Sequence, residues 1–128
     1  MNPMFGIDTH HRADHSVLLV GGELDLATAP AFRTAAVAAV ATGVGPVLID
    51  LTACDHVDSV GAGLLLGVLK RCRAAGRALV VVCPDERLRR VLDLTELSRI
   101  VPVVPSVEAA LALDPPTVGA AARPSRSD

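Results

Sequence analysis

The chain has 128 residues, 51% of them apolar, with 12 basic side chains against 14 acidic ones. That length suits one domain with ample material for a core, and a near-balanced charge without a dense basic cluster argues against a nucleic-acid partner. Trp and Tyr are absent, and Phe5 and Phe32 are the only aromatic residues, so the stacking platforms of single-stranded nucleic-acid binders are missing as well.

Arg is strongly preferred over a solitary Lys70, a bias that fits a GC-rich bacterial genome. Arg33, Asp50, Lys70 and Glu86 interrupt every candidate apolar run, leaving none of the roughly 18 residues needed to cross a bilayer. The N-terminus is polar rather than signal-like. A soluble cytoplasmic protein, with no membrane association, is the expectation. Cys54, Cys72 and Cys83 are odd in number and lack short paired spacing, which fits reduced thiols used as small packing residues.

The stretch from Phe5 to Arg12 reads as an edge strand, and Ser16 to Val20 as a β-branched apolar strand that Gly21-Gly22 ends or bulges. Thr28 reads as a helix N-cap with Pro30 in the first turn, and the Ala-rich run that follows reaches Gly43. Val47 to Leu51 has the continuous apolar character of a strand buried on both faces. Thr52 to Asp58, including His56, reads as a polar loop. Leu64, Leu65, Val68, Leu69 and Cys72 then recur at helical spacing after Ser59, with Lys70, Arg71 and Arg73 late, where cations favour the helix dipole, and Gly76 as the stop.

Ala78 to Cys83 is a further buried strand, Pro84 a turn, and Leu88, Val91 and Leu92 a short third helix with Arg87, Arg89 and Arg90 on its solvated face. Residues 100–104 read as the last strand, and Ser106 as the cap of a final helix carrying Val107, Ala110, Leu111 and Leu113. The predicted fold is α/β: a four- to five-stranded, mostly parallel sheet with about four helices, in one domain over residues 1–113. From Asp114-Pro115-Pro116 onward, residues 114–128 are expected to form a disordered tail. Function falls to the loops at the carboxyl ends of the strands.

Gly22-Glu23-Leu24-Asp25 followed by Thr28-Ala29-Pro30, then Asp58-Ser59-Val60-Gly61 ahead of an apolar helix, resembles the STAS family, in its anti-sigma factor antagonist type. The Cys83-Pro84 turn into Arg87-Leu88-Arg89-Arg90-Val91-Leu92 matches too. The resemblance implies a non-catalytic protein without cofactor or metal that binds a kinase-type anti-sigma factor and so frees a sigma factor. It places the contact at Asp25, Asp58, Ser59, Val60, Gly61 and Gly63, and it leaves the oligomeric state open. Glycines at 61 and 63 would leave the first helical turn bare for a partner to approach.

In the family pattern Asp-Ser is followed by a Ser or Thr that accepts a phosphate from the partner kinase, then by Gly. Here the acceptor position is Val60, which has no hydroxyl. A phosphate would have added about −1.5 to −2 charges beside Asp58; Val60 offers an apolar contact instead. Three accounts follow, in this order: a constitutively active antagonist, phosphorylation on Ser59 as a substitute, or a diverged module of another signalling or transport assembly. Ser59 also has a plainer reading as helix N-cap, Asp25 as a helix-start residue, and Asp50 as a hydrogen-bonded acid at the end of a buried strand.

Other chemistries fit less well. Gly61, Gly63 and Gly67 miss the dinucleotide spacing and follow a polar loop rather than a strand. Cys83 and Arg89 have the Cys-x5-Arg spacing of thiol phosphatases, but Pro84, Asp85 and Glu86 stand where a phosphate needs bare amides and positive potential. A phosphoacceptor receiver domain would want an acidic pair after the first strand and a lysine late in the chain. His10, His11 and His15 lack metal-binding spacing and read as surface residues.

Overall fold

The computed structural model describes residues 5–113; the expected tail, 114–128, lies outside the described residues. The alternation of buried apolar strands with amphipathic runs gives β1 (Gly6–His11), β2 (Ser16–Leu24), α1 (Ala29–Ala41), β3 (Val47–Asp50), β4 (Cys54–Val57), α2 (Ser59–Ala74), β5 (Leu79–Val82), α3 (Glu86–Leu94), β6 (Val103–Val104) and α4 (Val107–Leu111). The sheet has six strands in the order β1-β2-β3-β5-β6, with β4 paired to β2 off that path. Only the β1–β2 pair is antiparallel.

β2 is the spine. Its first half, Ser16 to Leu19, pairs with β3, and its end, Gly22 to Leu24, pairs with β4. The register shifts between Gly22 and Glu23, where Gly22 has φ 84°, a backbone conformation open to glycine at little cost. β2 therefore runs on through the glycine pair rather than ending there, and the extra residue of the irregularity is Asp55 on β4, opposite the Gly22–Glu23 step, so that β2 pairs first with β3 and then with β4.

α1, α2 and α3 pack on one face over a core that includes Leu18, Val20, Phe32, Ile49, Leu65, Val81 and Leu92. α4 covers the other face, where Ala110 meets Leu48, Val80 and Val82. This is the period-two division of a sheet buried on both sides. The three cysteines are free and buried.

Two expectations change. The polar loop from Thr52 to Asp58 contains β4, which raises the strand count to six; His56 is an exposed residue of that strand. The last strand is only Val103–Val104, because Leu97–Arg99 form a 3-10 turn entered through Glu96 at φ 66°. α1 ends at Ala41 with Thr42 as its C-cap, and Gly43 at φ 85° follows as the expected stop. Its end is held by Arg77, a buried side chain that sequence reading passed over. The guanidinium donates to the carbonyls of Ala39, Val40, Thr42, Val44 and Gly45 and to Ser16 Oγ, at 2.6–3.1 Å. One cation thus closes the carboxyl end of α1, where the helix dipole is negative, and ties it to the start of β2.

Candidate functional site

β2 and β4 end together. Their register pairs Leu24 with Val57, so the next residues, Asp25 and Asp58, leave adjacent strand ends, each at the entrance to a helix. The Asp25 carboxylate accepts the Thr28 N–H at 3.2 Å, while Thr28 Oγ1 accepts the Asp25 N–H at 3.1 Å and donates to the Glu23 carbonyl at 2.8 Å. This reciprocal pairing has the logic of a capping box, one turn ahead of α1. Thr28 occupies the N-cap position of α1, but its side chain makes no cap bond there. The expected cap is corrected: its hydroxyl is committed to the preceding turn.

Asp58 is the N-cap of α2, its Oδ1 accepting the Gly61 N–H at 3.0 Å. Its Oδ2 lies 3.9 Å from His56 Nε2. The cap expected at Ser59 is therefore one residue earlier, and Ser59 is the exposed first residue of the helix. Val60 follows, 40% exposed. Gly61 is buried, and a Cβ there would stand 2.4 Å from the Leu24 carbonyl oxygen. Its bareness serves the chain's own packing of α2 onto the end of β2, not an outside partner, which corrects the expected opening at that residue. Gly63 is exposed, with nothing within 4 Å of where a Cβ would be.

Two strand-end carboxylates, each with one oxygen engaged by the backbone, thus frame Ser59 and Val60. Sequence reading passed over Leu26, which stands 75% exposed in the turn after Asp25. The signal was there, an apolar residue inside an otherwise polar turn, but such residues are common on surfaces. The edge offers hydrogen-bonding carboxylates beside exposed apolar side chains, the mixture that a protein contact uses.

The set-aside chemistries can be located as well. Gly61, Gly63 and Gly67 all lie inside α2 rather than in a phosphate-cradling loop. The Cys83 thiol is pushed up to about 11 by burial, leaving little thiolate at neutral pH. The Asp85 carboxylate accepts the Arg87 N–H at 2.7 Å, so the start of α3 is already occupied by an anion of the chain itself. Asp50 is buried and accepts from the Thr52 N–H at 2.9 Å. His15 Nδ1 lies 2.7 Å from Asp14, and His11 Nδ1 2.7 Å from Ser16 Oγ. Among the described residues no group of three or more metal-ligating side chains comes together, and no helix is long and apolar enough to cross a membrane.

The fold is that of a small, mostly parallel α/β domain. Residues 6–110 match the family model of the STAS domain, and the chain belongs to that family, as the motifs around Asp25 and Asp58 imply. An anti-sigma-B factor antagonist of Staphylococcus epidermidis is 32% identical over 97 residues, which cover 76% of this chain and 90% of the relative. An anti-sigma-B factor antagonist of Listeria monocytogenes is 36% identical over 91 residues, covering 70% and 79% respectively. The crystal structure of an anti-sigma factor antagonist from Mycobacterium paratuberculosis superposes with a TM-score of 0.72 at 31% identity, covering 84% of this chain and 91% of the other. The family is regulatory.

Proposed function

We propose that this chain is a cytoplasmic anti-sigma factor antagonist that captures a kinase-type anti-sigma factor, so releasing a sigma factor, and that it does so without a phosphorylation switch at residue 60. The observation that carries this reading is Val60 itself: an exposed isopropyl group on the first turn of α2, two residues after the capping Asp58. Relatives named as antagonists support the class of partner.

The contact comprises Asp25, Leu26, Asp58, Ser59, Val60 and Gly63, with Gly61 acting indirectly by seating α2. Apolar Val60 and Leu26 supply the desolvated centre, and the two carboxylates align the partner. A kinase partner finds no hydroxyl at residue 60, so phosphate transfer to that position cannot release it. No catalytic group of this chain takes part.

The test is capture by purified kinase-fold anti-sigma factors of the source organism. Val60→Asp should lose about tenfold or more in affinity, since an unpaired charge would be buried in the contact; undiminished binding would refute the interface. With ATP present, Val60→Ser should take up phosphate while the natural chain does not. Phosphate on Ser59 of the natural chain would replace the unswitched reading with a displaced switch.

A further inference from the structure

Charge is unevenly divided between the elements. Neither α1 nor α2 contains Asp or Glu; the sequence is free of carboxylates from Ala29 to Ile49 and from Ser59 to Pro84. The cations on the two helices are Arg33 on α1 and Lys70, Arg71 and Arg73 on α2. The ion pairs among the described residues involve Asp14, Asp58, Asp85 and Glu96, so Arg33, Lys70 and Arg71 belong to none of them.

These three cations line one open groove of about 450 Å³ between α1 and α2. Its floor is apolar, with Phe32 and Val68 almost wholly buried beneath it. One end is Val60, the centre of the proposed contact, and the other is Lys70 and Arg71. Gly63 and Gly67 lie between, and a Cβ at either would meet nothing within 4 Å. A glycine in a helix interior is destabilising relative to Ala, and packing within this chain does not require it at either position. What the two glycines do is keep the groove shallow-walled, so that a backbone can lie close to α2.

We propose that this groove receives an acidic segment of the partner protein, with apolar side chains directed at the floor and carboxylates meeting Arg33, Lys70 and Arg71. The inference rests on the partner reading above and extends it: contact begins at Val60 and continues along α2. A cationic, carboxylate-free pair of helices above an apolar floor selects an acidic amphipathic segment over a neutral or basic one.

The probe is a twelve-residue peptide of Glu and Leu at helical spacing, compared with its Lys-for-Glu counterpart, on the isotopically labelled full chain. The acidic peptide should shift the amide signals of Gly63 and Gly67. Its affinity should fall by about tenfold or more in the Arg33→Glu, Lys70→Glu, Arg71→Glu variant and in Gly67→Leu, which fills the groove without changing charge, and it should weaken with added salt. Thermal unfolding of each variant separates lost binding from lost fold, and Arg89→Glu with Arg90→Glu on α3 should leave affinity unchanged. Equal binding of both peptides, absence of the glycine shifts, full binding by folded Gly67→Leu, or a self-association abolished by the triple variant would each overturn the proposal. If an anti-sigma factor binds the natural chain and the folded triple variant alike, the groove is wrong and the proposed function stands. If the acidic peptide binds but no anti-sigma factor does, the groove stands and the function falls.

Discussion

Asp58 and Ser59 are both good helix caps, and which one serves is decided by a single backbone donor. Because Gly61 N–H points at Asp58 Oδ1 at 3.0 Å, Asp58→Ala should cost about 1 kcal/mol of stability. Ser59→Ala should stay within about 0.5 kcal/mol, as an exposed helical position without a cap role. Urea unfolding of the two variants measures the difference directly, and a larger loss at Ser59 would return the cap to that residue. Gly61→Ala is expected to be the harshest substitution of the segment. The added methyl group would face the Leu24 carbonyl at 2.4 Å, so α2 must shift on the sheet, at a cost of roughly 1–3 kcal/mol or more. Thermal unfolding and the amide signals of Leu24 and Asp25 report both effects.

α3 carries a titrating cap. The Asp85 carboxyl is held below its ordinary value of 3.8, chiefly by the Arg87 guanidinium at 2.9 Å and then by the Arg87 N–H. A carboxyl depressed in the folded state adds stability that is fully present above its ordinary value and is lost as the pH falls through the depressed one. The stability gap between the natural chain and Asp85→Asn should accordingly be constant at neutral pH and close in acid; a gap that widens in acid would reverse the assignment. Much at this scale was legible beforehand. β3 and β5 announce themselves as apolar runs, and the major helices by period and by Gly76. β4 did not, because Cys54-Asp55-His56-Val57 is short and half polar, and it becomes a strand only by pairing with a segment of β2 some thirty residues earlier and beyond a bulge. β6 was overdrawn because Ile100-Val101-Pro102 has strand-like composition yet follows a 3-10 turn. The two acids of the candidate site were readable from their motifs, whereas the inward role of Gly61 depends on the approach of α2 to β2, which no local pattern encodes.

At the scale of the whole molecule, the carboxyl ends of the strands hold the candidate contact, and the opposite ends hold the Arg77 clamp. Its six hydrogen bonds reach residues up to 61 positions away. Arg77→Met should cost about 3 kcal/mol or more, because it strands buried carbonyls that a charged donor had satisfied. Arg77→Lys should recover only part of that, since an ammonium cannot reproduce the planar fork. Chemical unfolding decides this, and a Met variant of natural stability would show the clamp to be dispensable.

The clamp also gives the domain a gradient of opening. Amide protons near Ser16, Ala39 and Val47 should exchange with solvent only when the entire chain unfolds, whereas those near Asp25 and Ser59 can exchange through local fluctuations. The end proposed to meet a partner can adjust its fit without loosening the rest, because the opposite end is fastened by one buried guanidinium.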